Sequence, residues 1–428
     1  MFNKKEKIKK VMARQILDSR GVPTLEVAVQ TAFGAIGTAS VPSGASTGTK
    51  EAVELRDNEK SYFGKGVSLA CQNVNTEINT ALNGVEVTDQ KKIDEILIKL
   101  DGTENKARLG GNSLIGVSMA CARAGAVMAN LPLYEYLARL GGVKKYSMPR
   151  PMFNLINGGL HAFNGLAIQE YLFIPQVKNF SEAVRMGAET HHIIAELLKS
   201  RHMYSGVGDE GGEAPKLKSN TEPFVLIIEA AGKLGFKLGE DYGLGIDAAA
   251  NSFVQNVNDN FNYKLELEGK TFSSLELIDL YEKWISDFKL VLIEDGLAET
   301  DLEGWKLMTK ILSDKIHVVG QKLEIVGDDL FVTDARRLID GVREKMANAV
   351  IIKPNQVGTV TETIATIKAA KAHNYACVAS HRSGDTIDTF IADLAVGLNC
   401  EYIKAGAPAR GERVAKYNRL MEISEQII

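Results

Sequence analysis

Apolar and polar positions alternate over residues 25–29 and again over 35–41, the period of strands with one buried face. Beyond residue 50 the period changes. Segments 67–82, 91–100 and 113–140 place apolar residues three and four apart, with Gly84, Gly102 and Gly141 following as stops, so helices are predicted there. A small antiparallel sheet followed by helices makes an α+β domain. Pro149 and Pro151 then punctuate the chain, dividing an N-terminal domain over 1–145 from a second over 146–428.

The second domain repeats one design. Apolar runs at 242–247, 290–295, 324–329, 349–353 and 376–383 each end in residues able to do chemistry. Helical patterns at 307–312, 335–342, 361–372 and 387–398 lie between them. Strand and helix in regular alternation predict an α/β fold, a TIM-like (β/α)8 barrel with its catalytic groups at the C-terminal strand ends. The apolar runs at 152–156 and 167–174 are joined only by a glycine-rich loop and read as a hairpin, so the first strands are not expected to be all parallel.

Composition narrows the class. A chain of 428 residues, 45% hydrophobic and 24% charged, suits a barrel with a smaller companion and a core that needs no disulfides. Cys71, Cys121, Cys377 and Cys400 are scattered without CxxC spacing, which points away from zinc and towards a reducing, cytoplasmic setting. The net charge of −4 argues against nucleic acid, and the short cluster Lys4, Lys5, Lys7, Lys9 and Lys10 reads as a solvated end. No apolar run of signal-peptide length follows that cluster and none approaches membrane-spanning length, so no membrane insertion is expected.

Asp247, Glu294 and Asp328 end three successive strands, and barrel closure brings them to one mouth, where they repel unless a cation intervenes. Singly, each reads as a turn or helix cap. Together, oxygen-only ligands with room for water favour magnesium. Lys353 ends the next strand; beside a metal its pKa can be depressed so that it serves as a base, or it can form a salt bridge to one of the ligands. Arg382, Ser383 and Lys404 offer a fork, a hydroxyl and a point charge for a phosphate or carboxylate. The loops 206–212 (GVGDEGG) and 42–48 (PSGASTG) are turn-like in composition and match no P-loop spacing. Glu210 distinguishes the first, because a carboxyl kept protonated beside another carboxylate can act as a general acid. His191, His192 and Glu196 lack the HExxH pattern and read as helix surface.

These residues resemble enolase, the phosphopyruvate hydratase family, along nearly the whole chain. The likeness is carried by LDSRGVPTLEV (17–27), VPSGASTGTKEAVELRD (41–57), LINGGLHAFNGLAIQE (155–170), VGDEGGEAP (207–215), IEDGL (293–297), VGDDLFVT (326–333), IIKPNQVGT (351–359) and SHRSGDT (380–386). The resemblance implies dehydration of 2-phosphoglycerate to phosphoenolpyruvate with two magnesium ions, by a homodimer or homo-octamer. It places metal ligands at Asp247, Glu294 and Asp328, with Ser43 reaching the second ion, the base at Lys353 and the acid at Glu210. Substrate positions fall on His161, Gln169, Glu170, His381, Arg382, Ser383 and Lys404. Enzymes of that superfamily pair a Lys or His base with one or two magnesium ions, which agrees with the residue types here. Departures are a short insertion around 318–326, which leaves the start of that strand open, and Ser252, Asp385 and Ala405 in place of the family's Glu, Glu and Thr. The end at Ile428 implies a trimmed terminal helix or tail. A racemase or cycloisomerase of the same superfamily would keep the carboxylates but not Glu210, Arg382, Ser383 and Lys404 together.

Overall fold

A computed structural model describes residues 6–44, 50–204, 206–257, 260–313, 317–318 and 321–427. The N-terminal sheet has three antiparallel strands, β1 (Ile8–Leu17), β2 (Pro23–Thr31) and β3 (Ile36–Ser40), in that order. β1 departs from the expectation of a solvated end. A register irregularity between Ile8 and Lys10 interrupts its alternation, and Lys9 and Lys10 are exposed while Ile8 and Val11 enter the core.

The helix predicted over 113–140 is two, Gly111–Ala129 and Leu133–Gly141. Asn130 takes a left-handed conformation at φ 52°, which ends the first, and Pro132 precedes the second. Gly111–Ala129 is the one described helix long and apolar enough to cross a membrane, yet 78% of that stretch is buried inside the protein. It lies so close to β3 that a Cβ on Gly37 would collide with the Ala120 carbonyl oxygen, which is why a glycine faces it.

Eight strands close the barrel: β4 (Arg150–Asn157), β5 (Glu170–Pro175), β6 (Tyr242–Asp247), β7 (Leu290–Glu294), β8 (Glu324–Gly327), β9 (Ala349–Ile352), β10 (Ala376–Ser380) and β11 (Tyr402–Lys404). They neighbour one another in chain order, and β11 returns to β4. β5 runs antiparallel to both neighbours, as the hairpin pattern predicts, and the other described pairings are parallel. Met152, Leu172, Ile174, Val326, Ile351 and Val378 form a separate buried cluster, the packing expected of a filled barrel interior. Alternate positions face the helical ring, where Trp305 is fully buried. Helices start where a side chain can accept an orphan amide: Ser273 in a capping box, then Asp301, Asp334 and Thr359.

The insertion is resolved by the register. His317–Val318 pairs antiparallel with Gln321–Lys322 as a small hairpin, and β8 then begins at Glu324 opposite Leu292 of β7. Asp328 therefore keeps its place just past the strand end.

The two parts of the molecule meet through buried polar contacts. Asp94 accepts from Ser118 Oγ at 2.6 Å, Thr361 Oγ1 at 2.5 Å and Thr361 N at 2.9 Å, joining the N-terminal helices to the barrel helix Val360–Ala372. Arg123 forks onto Asp388 at 2.5 and 2.7 Å. Burial pushes the Asp94 carboxyl up to about 6, so its folded value lies above its unfolded one. The stability it contributes is accordingly full at low pH and declines as pH rises through about 6. Asp94→Ala should lower unfolding free energy by about 2 kcal/mol at pH 5 and by less at pH 8; urea denaturation at the two pH values checks both size and sign.

Candidate active site

Strand register assembles the mouth. Glu170, Asp247 and Glu294 are paired in turn across β5, β6 and β7, and Ser380 lies opposite Lys404 across β10 and β11. His161, Gln169, Glu170, Glu210, Asp247, Asp328, Lys353, His381, Arg382, Ser383 and Lys404 line one cavity. Glu294 is fully buried directly behind Lys404. The cavity is only about 40 Å³, little more than the share of liquid volume of one water. A larger cavity of about 810 Å³ opens among Arg150, Glu324 and Tyr402. Those residues begin their strands, so it sits at the barrel end away from the chemistry.

The mouth is small because its opposite charges grip one another. Lys404 Nζ lies 3.0 Å from Glu170 Oε1, 2.9 Å from Asp247 Oδ2 and 2.9 Å from Glu294 Oε2. Lys353 Nζ is paired with Asp328 Oδ2, whose other oxygen accepts from Gln356 Nε2 at 2.9 Å. Arg382 forks onto Glu51 at 2.9 and 3.2 Å. Carboxyl groups still outnumber these three cations, since Glu210, Asp295 and Asp329 also line the cavity. Burial, reinforced by Asp247, raises Glu294 to about 8; burial, reinforced by Asp328, raises Asp329 to about 7. Glu170 and Asp295 are also raised well above the ordinary carboxyl range, first by burial and then by a neighbouring carboxylate, Glu210 for the one and Asp329 for the other. This surplus of buried acid fits a divalent cation: oxygen donors converge, and Lys404 already stands among them as a protein-borne positive charge.

Two expectations about protonation change. Lys353 is not depressed in this arrangement: burial works against its charge, but the Asp328 carboxylate overrides burial and holds the ammonium above its ordinary value. The salt bridge, the plainer of the two sequence readings, is what forms. Burial likewise works to raise Glu210, yet His381 and His161 hold it below the ordinary carboxyl value, while burial and the Glu210 charge hold Glu170 above it. His381 Nε2 lies 3.2 Å from Glu210 Oε1, and Asn154 Nδ2 donates to Glu210 Oε2 at 3.0 Å. His161 stands between the two acids, 3.9 Å from Glu170 and 3.8 Å from Glu210.

Ser43 is not brought to the mouth. Its hydroxyl donates to Glu54 at 3.0 Å and accepts from Arg56 at 2.8 Å, while its backbone bridges to Gly384, so it fastens the N-terminal domain instead. Residues 45–49 of the same loop lie outside the described residues. Beyond Asp329, three further residues outside the sequence expectations support the site. Glu51 holds Arg382, Gln356 holds Asp328, and Asp295, at φ 42°, accepts from the backbone amides of Asp328 at 2.9 Å and Asp329 at 3.0 Å. All three fall inside the family-like motifs, which was the available signal. The composition of the 206–212 loop also has a local cause: a Cβ on Gly208 would lie 2.6 Å from the Asn157 side chain and one on Gly212 2.7 Å from its Oδ1. Glycine there lets the loop that carries Glu210 press against β4.

A barrel mouth of this kind, acids on consecutive strand ends with a buried lysine beside them, defines a metal-assisted barrel enzyme acting on an anion. The family model for the enolase C-terminal TIM barrel domain matches residues 145–428, and that for the enolase N-terminal domain matches 8–137. Enolase of Wolinella succinogenes is 48% identical over 421 residues, covering 98% of this chain and 97% of that one. The Natranaerobius thermophilus enolase is 50% identical over 421 residues (98% and 95%), and that of Helicobacter pylori strain 26695 is 49% identical over 422 (98% and 96%). The chain belongs to the enolase family. Its activity is that of a magnesium-dependent carbon–oxygen lyase of glycolysis, the reversible dehydration of 2-phosphoglycerate to phosphoenolpyruvate.

Carboxyls raised to about 7 and 8 hold protons at neutral pH that a cation must displace. Adding magnesium to the metal-free protein at pH 7 should release protons, and the release should fall away as pH rises past about 8; indicator-dye titration in weak buffer measures it.

Proposed function

We propose that Lys353 removes the proton beside the substrate carboxylate, that Asp247, Glu294 and Asp328 hold magnesium, and that Glu210 assists loss of the hydroxide. The observation carrying this reading is the shared Asp328, which binds Lys353 on one oxygen and Gln356 on the other at a strand end flanked by further acids. Paired with Asp328, Lys353 keeps its proton; freed of that partner, its burial favours the neutral amine a base requires. Magnesium, when bound, supplies the positive charge that makes a second negative charge on the substrate carboxylate tolerable. Two ions are proposed, the surplus of carboxyl groups being larger than one divalent charge offsets.

Substrate anions exchange places with the protein's own. Arg382 and Ser383 take the phosphate as Glu51 gives up the guanidinium, and Lys404 turns from its carboxylates towards the substrate carboxylate. His161, Gln169 and His381 line the same cavity and orient the hydroxyl end. The Glu170 and Glu210 oxygens approach within 4.8 Å, so the proton held on Glu170 stands close to the group that must leave as water.

The same reading divides the chain into domains 1–145 and 146–428, supported by family models that end at 137 and start at 145. It places the protein in the cytoplasm, in keeping with four unpaired cysteines, and makes it a homodimer or homo-octamer, in keeping with exposed Met12 and Leu17 on the outer strand β1. Phosphoenolpyruvate should form from 2-phosphoglycerate with magnesium and not without it. Lys353→Ala should lose at least about a thousandfold in kcat while keeping the circular dichroism spectrum of the parent; a variant of undiminished rate would remove Lys353 from the base role.

A further inference from the structure

Arg413 sits in the first turn of the terminal helix Gly411–Gln426 with no exposed surface, and it has no part in the chemistry just described. Its Nη1 donates to His381 Nδ1 at 2.7 Å and to the Arg382 carbonyl at 2.7 Å. Its Nη2 donates to the carbonyls of Ser383 at 2.6 Å and Asp209 at 3.1 Å. Nη2 also donates to Ser19 Oγ at 3.4 Å, so five acceptors surround the four hydrogens on the terminal nitrogens. A guanidinium stays protonated and only donates, so Nδ1 must meet it with a lone pair and the ring proton must stand on Nε2. Nε2 is the atom 3.2 Å from Glu210 Oε1.

We infer that Arg413 is a positioning residue of the reaction: by donating to His381 Nδ1 it fixes the tautomer that carries the ring proton on Nε2, the nitrogen on the Glu210 side, and by holding three carbonyls it keeps the Glu210 loop and the Arg382–Ser383 loop in one frame. The inference rests on the roles proposed above for Glu210, Arg382 and Ser383. His381 faces Glu210 from the 206–212 loop, Arg413 from the terminal helix and Asp385 from its own loop. Lys416, one turn beyond Arg413, donates to Asp385 at 2.7 Å and so engages that carboxylate from behind. Burial, with the Arg413 charge adding to it against the two carboxylates, pushes the His381 ring down to about 4. A neutral ring protonated on Nε2 presents a hydrogen and no lone pair on the side of Glu210. Asp385 is held from both sides: its Oδ2 accepts from Arg382 N at 3.1 Å and its Oδ1 from Lys416 Nζ at 2.7 Å.

Nitrogen NMR of the full-length, metal-free protein labelled at histidine, with His381 assigned by its loss in His381→Gln, reads the tautomer without reference to turnover. Nε2 protonated and Nδ1 bare between about pH 6 and 8 is the expected result; a protonated Nδ1 overturns the inference, whatever the variants do. Arg413→Met should release the ring to a mixed tautomer, lower kcat by about a hundredfold and move the acid limb of kcat/KM upward towards the ordinary histidine value of about 6.5. Arg413→Lys, which keeps one donor, should restore the Nε2–H signature and part of the rate. A folded Arg413→Met that keeps the parental tautomer and pH profile shows the arginine to be merely structural. Failure of the Lys353 assignment leaves the tautomer measurement untouched, so the two readings fail separately.

Discussion

One buried ammonium, Lys404, lies among carboxylates delivered by three neighbouring strands, and the rest of the mouth follows from the need to balance charge where water is scarce. Lys353 with Asp328 and Arg382 with Glu51 repeat the solution at either side. Each pair sets a cation against a carboxylate inside the cavity or directly behind it. On the proposed roles, binding exchanges partners more than it fills space, and the gain on contact is offset by the pairs that must part. The same pairing keeps the folded protein intact without ligands, since buried acids left unpaired would protonate or drive local opening.

The barrel makes the balance possible through one irregular strand. Because β5 runs against its neighbours, its first residue and not its last stands at the mouth, and that residue is Glu170, in register with Asp247. A parallel strand there would have brought Pro175 to the same level. Reversal also shortens the path from β4, so His161 and Gln169 ride on a tight loop over the site. The antiparallel hairpin is therefore part of the catalytic design and not an accident of how the barrel closes.

Much of this was legible in the sequence. Apolar runs ending in Asp247, Glu294, Asp328, Lys353, His381 and Lys404 announce strand ends, since a buried parallel strand is apolar throughout and only its terminus can be polar. Contacts made across the chain were not legible. Glu51 meets Arg382 and Arg413 meets His381 and Asp209 only after folding, and no spacing encodes such pairs. Protonation was equally out of reach, because Lys353 and Glu210 take their states from partners that a linear reading cannot place. Ser43 lies in a family-like motif, and its hydroxyl is engaged by Glu54 and Arg56, contacts that its place in the sequence does not indicate. The break at Asn130 was hidden because the apolar period runs straight through it.

The small hairpin of His317–Val318 with Gln321–Lys322 enters just ahead of β8, at the barrel end opposite the mouth. The strand after it is paired in parallel with β7 from its first residue, Glu324 opposite Leu292. Length at that end is therefore decoupled from chemistry at the other. The entrance to β8 is a permissive seam, where evolution or an engineer can lengthen, shorten or graft sequence while Asp328 goes on meeting Lys353.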